Sequence, residues 1–142
     1  MAGTLTLRVI TPERIALDQS VGSVRVPAVD GSLGILPRHA PLVAALDVGI
    51  LRYRVGGKES VLFVSGGFAE MRGETVRVVT EAGERPQEID EARAREAEAR
   101  ARARIEKGET EQGEPIDMLR AEAALKRALL RLEARAFMSG SA

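Results

Sequence analysis

The stretch TVRVVTEAGERPQEIDEARAREAEARARARIEK, residues 75–107, begins in the pattern of a β-strand and ends in that of a helix. Val76 and Val78 alternate with Thr75 and Arg77, the period-two signature of a half-buried strand. Beyond Glu84 that alternation stops and Ala, Glu and Arg take over, residues with high intrinsic helix propensity. The change of character divides the chain. Upstream, LTLRVI, SVGSVRVPAV, ILRYRV and ESVLFVSG are short apolar or alternating runs separated by turn signals such as VDGSLG, VGGKE and RGETV. With no helical pattern between them, they predict an antiparallel sandwich or flattened barrel rather than a parallel sheet. Downstream, IDEARAREAEARARARIEK and PIDMLRAEAALKRALLRLEARAF predict two helices, and the connector KGETEQGEP should turn them back on each other. The expected class is α+β: an N-terminal antiparallel β-sandwich over residues 1–84, then a C-terminal antiparallel two-helix hairpin over residues 85–142. No internal repeat is apparent.

Composition narrows the chemistry. The 142 residues include no cysteine, which removes disulfide frameworks, thiolate metal sites, iron–sulfur clusters and cysteine nucleophiles and fits a cytosolic setting. Lys+Arg and Asp+Glu both number 21, so no net field draws the chain to nucleic acid or an anionic membrane, and any anion site has to be local. No stretch approaches the roughly 20 apolar residues of a spanning helix. The start, MAGTLTLRVITPE, lacks a basic cluster followed by an apolar run. Neither an export signal nor direct lipid insertion is therefore expected.

The helices carry two readable faces. Ala94, Ala97, Ala101 and Ile105 on the first and Met118, Ala121, Leu125, Leu129 and Leu132 on the second form candidate seams. The first is nearly all alanine and buries little area, which points to a hairpin able to detach; a rigid helical lid on the sandwich is the alternative. Arg93, Arg100 and Arg104 are spaced by seven and four, and Arg120, Arg127 and Arg131 repeat that spacing. Two such rows can face one anion, since guanidinium grips two phosphate oxygens at once. Equally, Glu88, Glu91, Glu96, Glu98 and Glu122 are placed to neutralise them along ordinary solvated helix faces.

The only histidine, His39, sits in DGSLGILPRHAPL, residues 30–42. Gly31 and Gly34 match neither a P-loop, which needs a following Lys-Ser/Thr, nor a dinucleotide fingerprint. His39 has no Ser or Cys nucleophile nearby, and one histidine without thiols cannot supply the usual transition-metal ligand set. What remains is a glycine-started, proline-closed loop suited to presenting a fixed surface. No catalytic residue and no metal are expected.

Together, GSLGILPRHAPLVAAL (residues 31–46), VSGGFAEMRGETVRVVTEAGER (64–85) and AEAALKRALLRL (121–132) resemble the epsilon subunit of the bacterial F-type ATP synthase over nearly the whole chain. The resemblance implies a non-catalytic rotor subunit whose sandwich binds the gamma subunit and the membrane ring of c subunits. Its hairpin would be mobile, restraining ATP hydrolysis by meeting the alpha and beta subunits when extended. Ser32, Arg38 and His39 would be the ring contacts, with a turn histidine bonded to backbone as the plain alternative for His39. Arg120, Arg127 and Arg131 would form the inhibitory basic face. Members of that family that bind ATP carry Ile/Leu-Asp-x-x-Arg-Ala at the start of the first helix, matched here by residues 89–94. By that likeness Glu84, Ile89, Asp90, Arg93 and Ala94 would surround adenine and ribose, and Arg100, Arg127 and Arg131 would approach the phosphates. ATP would be a regulatory ligand rather than a required cofactor. Asp90 also reads simply as the N-cap of its helix. The implied location is the cytoplasmic face of the bacterial plasma membrane, peripherally bound, and the alternative function is a freestanding ATP-sensing or scaffold module.

Overall fold

The computed structural model describes residues 4–140, and the chain divides between Arg85 and Pro86 into two compact units. The first holds eight strands: β1 (Leu5–Ile10), β2 (Ile15–Val21), β3 (Ser23–Ala28), β4 (Gly31–Ile35), β5 (Leu42–Val55), β6 (Lys58–Arg72), β7 (Thr75–Val79) and the short β8 (Gly83–Glu84). They run in the order β2-β1-β7-β6-β5-β3-β4, with β8 also on β6. Two long strands make the sandwich. β5 and β6 pair from Leu42↔Met71 to Leu46↔Gly67 and again from Val48↔Ser65 to Val55↔Lys58, and the break at Asp47 and Gly66 lets both bend. Beyond the bend β6 changes neighbours, from β8 at Phe63 and Val64 to β7 at Phe68 to Arg72. Each long strand thus serves both layers.

Alternation on each strand fills the space between the layers. Leu5, Leu7 and Val9 of β1, Val76 and Val78 of β7, and Ala69 and Met71 of β6 face Val24 and Val26 of β3, Ile35, Leu51, Leu62 and Val64 in one apolar core. Most of their intervening neighbours are partly or fully exposed, the exception being β6, where Val61 to Val64 are all buried. At about 1.5–3 kcal/mol for each large side chain removed from water, this core is the main source of stability in the unit.

Two details differ from the expected all-antiparallel set of strands and loops. β1 pairs with β7 in parallel, Thr6↔Thr75 to Ile10↔Val79, because the intervening strands carry the chain away and return it in the same direction. Residues 31–35, expected in a loop, form an edge strand paired to β3 from Ala28↔Gly31 to Val24↔Ile35. Its two glycines weaken the strand signal, and pairing to only one neighbour leaves half its backbone unconstrained.

The second unit opens with a 3-10 turn, Pro86–Glu88, followed by α1 (Glu91–Lys107) and α2 (Met118–Gly140). Glu91 in the first turn of α1 and Arg104 and Lys107 in its last complement the helix dipole. Gly108 ends the helix at φ 73°, its N–H donating to the Arg104 carbonyl, a left-handed cap that glycine adopts without strain. The helices run antiparallel and pack through alanine on both sides. Ala94 and Ala101 of α1 and Ala121, Ala128 and Ala134 of α2 are buried. The expected leucine stripe is out of phase: Leu125 and Leu132 are half-buried, while Leu129 and Met118 are exposed. Small side chains let the axes approach and push the leucines to the flanks, so the seam buries little area per residue. Arg135 Nη1 donates to the Pro86 carbonyl at 3.2 Å, tying α2 to the opening turn. No helix among the described residues is long and apolar enough to cross a membrane.

Candidate functional site

In the helical unit, both helices begin with one local device. Asp90 takes extended backbone angles and its Oδ1 accepts the Arg93 N–H at 3.1 Å, with Ala94 N donating to the Asp90 carbonyl. Asp117 does the same at the start of α2: its Oδ1 accepts the Arg120 N–H at 3.2 Å, and Ala121 N donates to its carbonyl. Residues 116–121 read Ile-Asp-x-x-Arg-Ala, a second copy of the pattern at 89–94. The repeat was present in the sequence and was hidden by the expectation of a single motif. Removing either cap should cost about 1 kcal/mol. Asp90→Ala and Asp117→Ala should each speed amide exchange in the first turn of their helix, while the Asn replacements, which keep an acceptor oxygen, should not.

Between the helices, toward the connector, lies a cavity of about 420 Å³ bordered by Arg100, Arg104, Arg120 and Arg127, by the N-capping Asp117, and by Ala97, Ala101, Ala121 and Ala124. Alanine makes room for it. Two of the glutamates expected to neutralise the arginine rows are engaged with other arginines of α1: Glu91 pairs with Arg95 at 2.8 Å and Glu98 with Arg102 at 3.0 Å. Among the described residues, Arg100, Arg120 and Arg127 form no ion pair. Arg104 is held by Glu111 of the connector, its Nη2 donating to Oε2 at 3.0 Å and its Nε to Oε1 at 3.2 Å. That two-point grip, aided by the charge of Arg100, keeps the Glu111 carboxyl below the usual carboxylate range. The connector is itself ordered, with the Thr110 hydroxyl accepting the N–H groups of Gln112 and Glu114 and a bridge between Glu109 and Pro115.

The remaining residues of the expected nucleotide set do not border this cavity. Ile89 and Ala94 are buried at 5% and 4% exposure and serve as packing residues in this form. Arg93 is exposed and Arg131 half-buried, and neither borders the cavity. Glu84 belongs to β8 in the sandwich unit. The structure therefore brings together Arg100 and Arg127, and adds Arg104 and Arg120.

In the sandwich unit, Ser32 lies on β4, where its Oγ accepts from Arg25 Nη1 at 3.2 Å. Arg38 takes a left-handed conformation, φ 68°, inside a turn closed by the His39 N–H on the Leu36 carbonyl at 3.1 Å. The His39 ring is bonded to its own chain: Nδ1 lies 2.8 Å from the Ala40 carbonyl oxygen, which requires Nδ1 to carry the proton. Ser32 and the pair Arg38 and His39 thus stand toward opposite ends of β4. A larger hollow of about 590 Å³ on this unit is bordered by Arg25, Arg52 and Arg54. All three have partners, in Ser32, Glu59 and the Gly57 carbonyl respectively. Of these three, Arg52 is the one matched to a carboxylate, at 3.9 Å.

Comparison with known proteins covers both units. Residues 4–86 match the family described as ATP synthase, Delta/Epsilon chain, beta-sandwich domain, and residues 87–135 match ATP synthase, Delta/Epsilon chain, long alpha-helix domain. The chain is 43% identical over 134 residues to the ATP synthase epsilon chain of Desulforamulus reducens, covering 94% of this chain and 98% of that one. It is 50% identical over 105 residues to the epsilon chain of Carboxydothermus hydrogenoformans, covering 74% and 78% respectively. A chain in the cryo-EM structure of the Euglena gracilis mitochondrial ATP synthase, OSCP/F1/c-ring, superposes with a TM-score of 0.75 at 27% identity, over 92% of this chain and 80% of that one. A sandwich and a helical hairpin joined near Arg85, matched end to end by such relatives, put the chain in the epsilon-chain family of ATP synthases.

Proposed function

We propose that this chain is a non-catalytic rotor subunit at the foot of the central stalk of a proton-translocating F-type ATP synthase, on the cytoplasmic face of a bacterial plasma membrane. Its sandwich unit docks on the gamma subunit and the ring of c subunits, with Ser32, Arg38 and His39 meeting the ring. Its helical unit regulates. Folded, the hairpin binds ATP, with Ile89, Asp90, Arg93 and Ala94 toward adenine and ribose and Arg100, Arg127 and Arg131 toward the phosphates. Extended, it presents Arg120, Arg127 and Arg131 to acidic surfaces of the alpha and beta subunits and restrains hydrolysis. ATP favours the folded form only to the extent that it binds that form better.

One observation carries the regulatory reading: Arg100 and Arg127 border one cavity with no ion pair among the described residues. Uncompensated guanidinium groups converging on a space of this size favour an anionic ligand. The alanine seam supports the other half, since so little buried apolar area leaves the folded hairpin dependent on a ligand. Truncation after Arg85 tests the division of labour, because the apolar core is complete within the first unit. The truncated chain should still capture gamma in a pull-down and support coupled synthesis, while hydrolysis by the assembled enzyme rises. Loss of gamma capture by a folded truncated chain would overturn the docking assignment, and would favour a freestanding ATP-sensing module if the full chain also fails to capture gamma.

A further inference from the structure

The interhelical cavity and the ordered connector meet at one side chain. Arg104 borders both the cavity and an adjoining hollow of about 180 Å³ formed by connector residues including Thr110, Glu111 and Gly113. From the connector side Glu111 engages Arg104 through both carboxylate oxygens, the same two-point geometry that a phosphate group uses on guanidinium. The other three guanidinium groups around the cavity lack such a counter-charge among the described residues. The connector's own hydrogen bonds, from the Gln112 and Glu114 amides to the Thr110 hydroxyl and from Ile116 N to the Gly108 carbonyl, hold Glu111 in place over the end of α1.

We infer that Glu111 is a tethered counter-anion of the four-arginine cavity, and that a bound polyphosphate chain competes with it for Arg104. This rests on the proposed binding of ATP by the hairpin and adds a regulatory element to it: the connector sets the affinity. A carboxylate carried on the chain is present at a fixed local concentration, so it raises the ligand concentration needed to occupy the arginines without closing the site. Phosphate groups outcompete it by carrying more charge and more acceptor oxygens per ligand. The shared chemistry is the phosphate chain, whether esterified to a nucleoside or free.

Titration calorimetry of the full chain and two variants with ATP, and separately with inorganic tripolyphosphate, tests this. Glu111→Gln removes the competing charge. Glu114→Gln removes an equal charge from the same connector, at a side chain with no ion pair among the described residues. Glu111→Gln should bind both ligands roughly fivefold more tightly than the unaltered chain, and Glu114→Gln by less than about twofold more tightly, its charge being screened. Equal tightening by the two variants would reduce the effect to net charge and overturn the specific role of Glu111. Unchanged affinity in Glu111→Gln, with the unaltered chain binding ATP, would overturn the inference while leaving the ATP reading intact. Absence of heat and of a thermal shift in all three chains would overturn the ATP reading itself. Tightening toward ATP alone would place the competition outside the phosphate chain and count against it.

Discussion

Gly67→Val is expected to unfold the sandwich unit, or to destabilise it by more than about 4 kcal/mol, the range reserved for the most damaging single changes. Gly67 sits at φ 96°, where a β-branched side chain is strained by its own backbone. A Cβ built there would lie 1.8 Å from the Val79 carbonyl oxygen and 2.8 Å from the Val79 carbonyl carbon. Neither atom belongs to a flexible side chain that can swing away. Relief requires β6 and β7 to part at Phe68↔Val79, the pair that begins their shared ladder, and to open the core around Ala69 and Val78, both fully buried. Gly66 supplies the comparison. Its φ is also positive, at 72°, but the nearest atom to a Cβ there is the Leu46 carbonyl oxygen at 3.8 Å. Gly66→Ala should therefore cost only the conformational strain, about 1–2 kcal/mol. Urea unfolding followed by circular dichroism separates the two. A Gly67→Val chain that unfolds within about 1 kcal/mol of the unaltered one would mean that β6 and β7 do not approach as closely at this bend as described.

That bend also marks where sequence reading ran out. The alternation of Val76 and Val78, the run at 59–66 and the shift to Ala, Glu and Arg beyond Glu84 were legible because each is a local pattern imposed by a local periodicity. The parallel pairing of β1 with β7 leaves no local trace, since each strand carries the same alternation whichever direction its neighbour runs. β4 was read as loop because its glycines weaken the strand signal, although the hairpin at Ala28 and Gly31 holds it in register with β3. The α2 seam was misplaced for a related reason: leucine was taken as the contact residue, whereas alanine determines how closely two helices can approach.

The candidate site was legible in part. The seven-and-four spacing found the two arginine rows, and Arg100 and Arg104 do share the cavity with Arg120 and Arg127. Arg93 and Arg131, one step further along each row, lie beyond its reach. Seven residues fall only slightly short of two helical turns, so the rows stay aligned in angle and part company in distance along the axis. Glu111 left no signal, because its position depends on how the connector folds rather than on any helix period. The second Ile-Asp-x-x-Arg-Ala, by contrast, was readable from spacing alone.

The double variant Arg100→Ala, Arg127→Ala is expected to weaken ATP binding about 100-fold. Both residues border the cavity and neither is engaged in an ion pair among the described residues, so their loss removes ligand contacts without orphaning a protein carboxylate. Charge-assisted hydrogen bonds contribute about 1.5–3 kcal/mol each. Arg100 is exposed and Arg127 half-buried, which favours the lower end of that range, near tenfold per residue. The helices should persist, because alanine has the highest helix propensity. Arg95→Ala, Arg102→Ala is the matched control: it removes the same charge from the hairpin, at side chains paired with Glu91 and Glu98 of α1. Calorimetry gives the affinities, and thermal unfolding gives an independent reading. At ATP about 100 times the dissociation constant of the unaltered chain, that chain should gain about 2.7 kcal/mol. The double variant, its dissociation constant raised to the ATP concentration itself, should gain only about 0.4 kcal/mol. If the two double variants lose affinity equally, the ligand responds to the overall charge of the hairpin rather than to these two guanidinium groups, and the cavity is not where its phosphates lie.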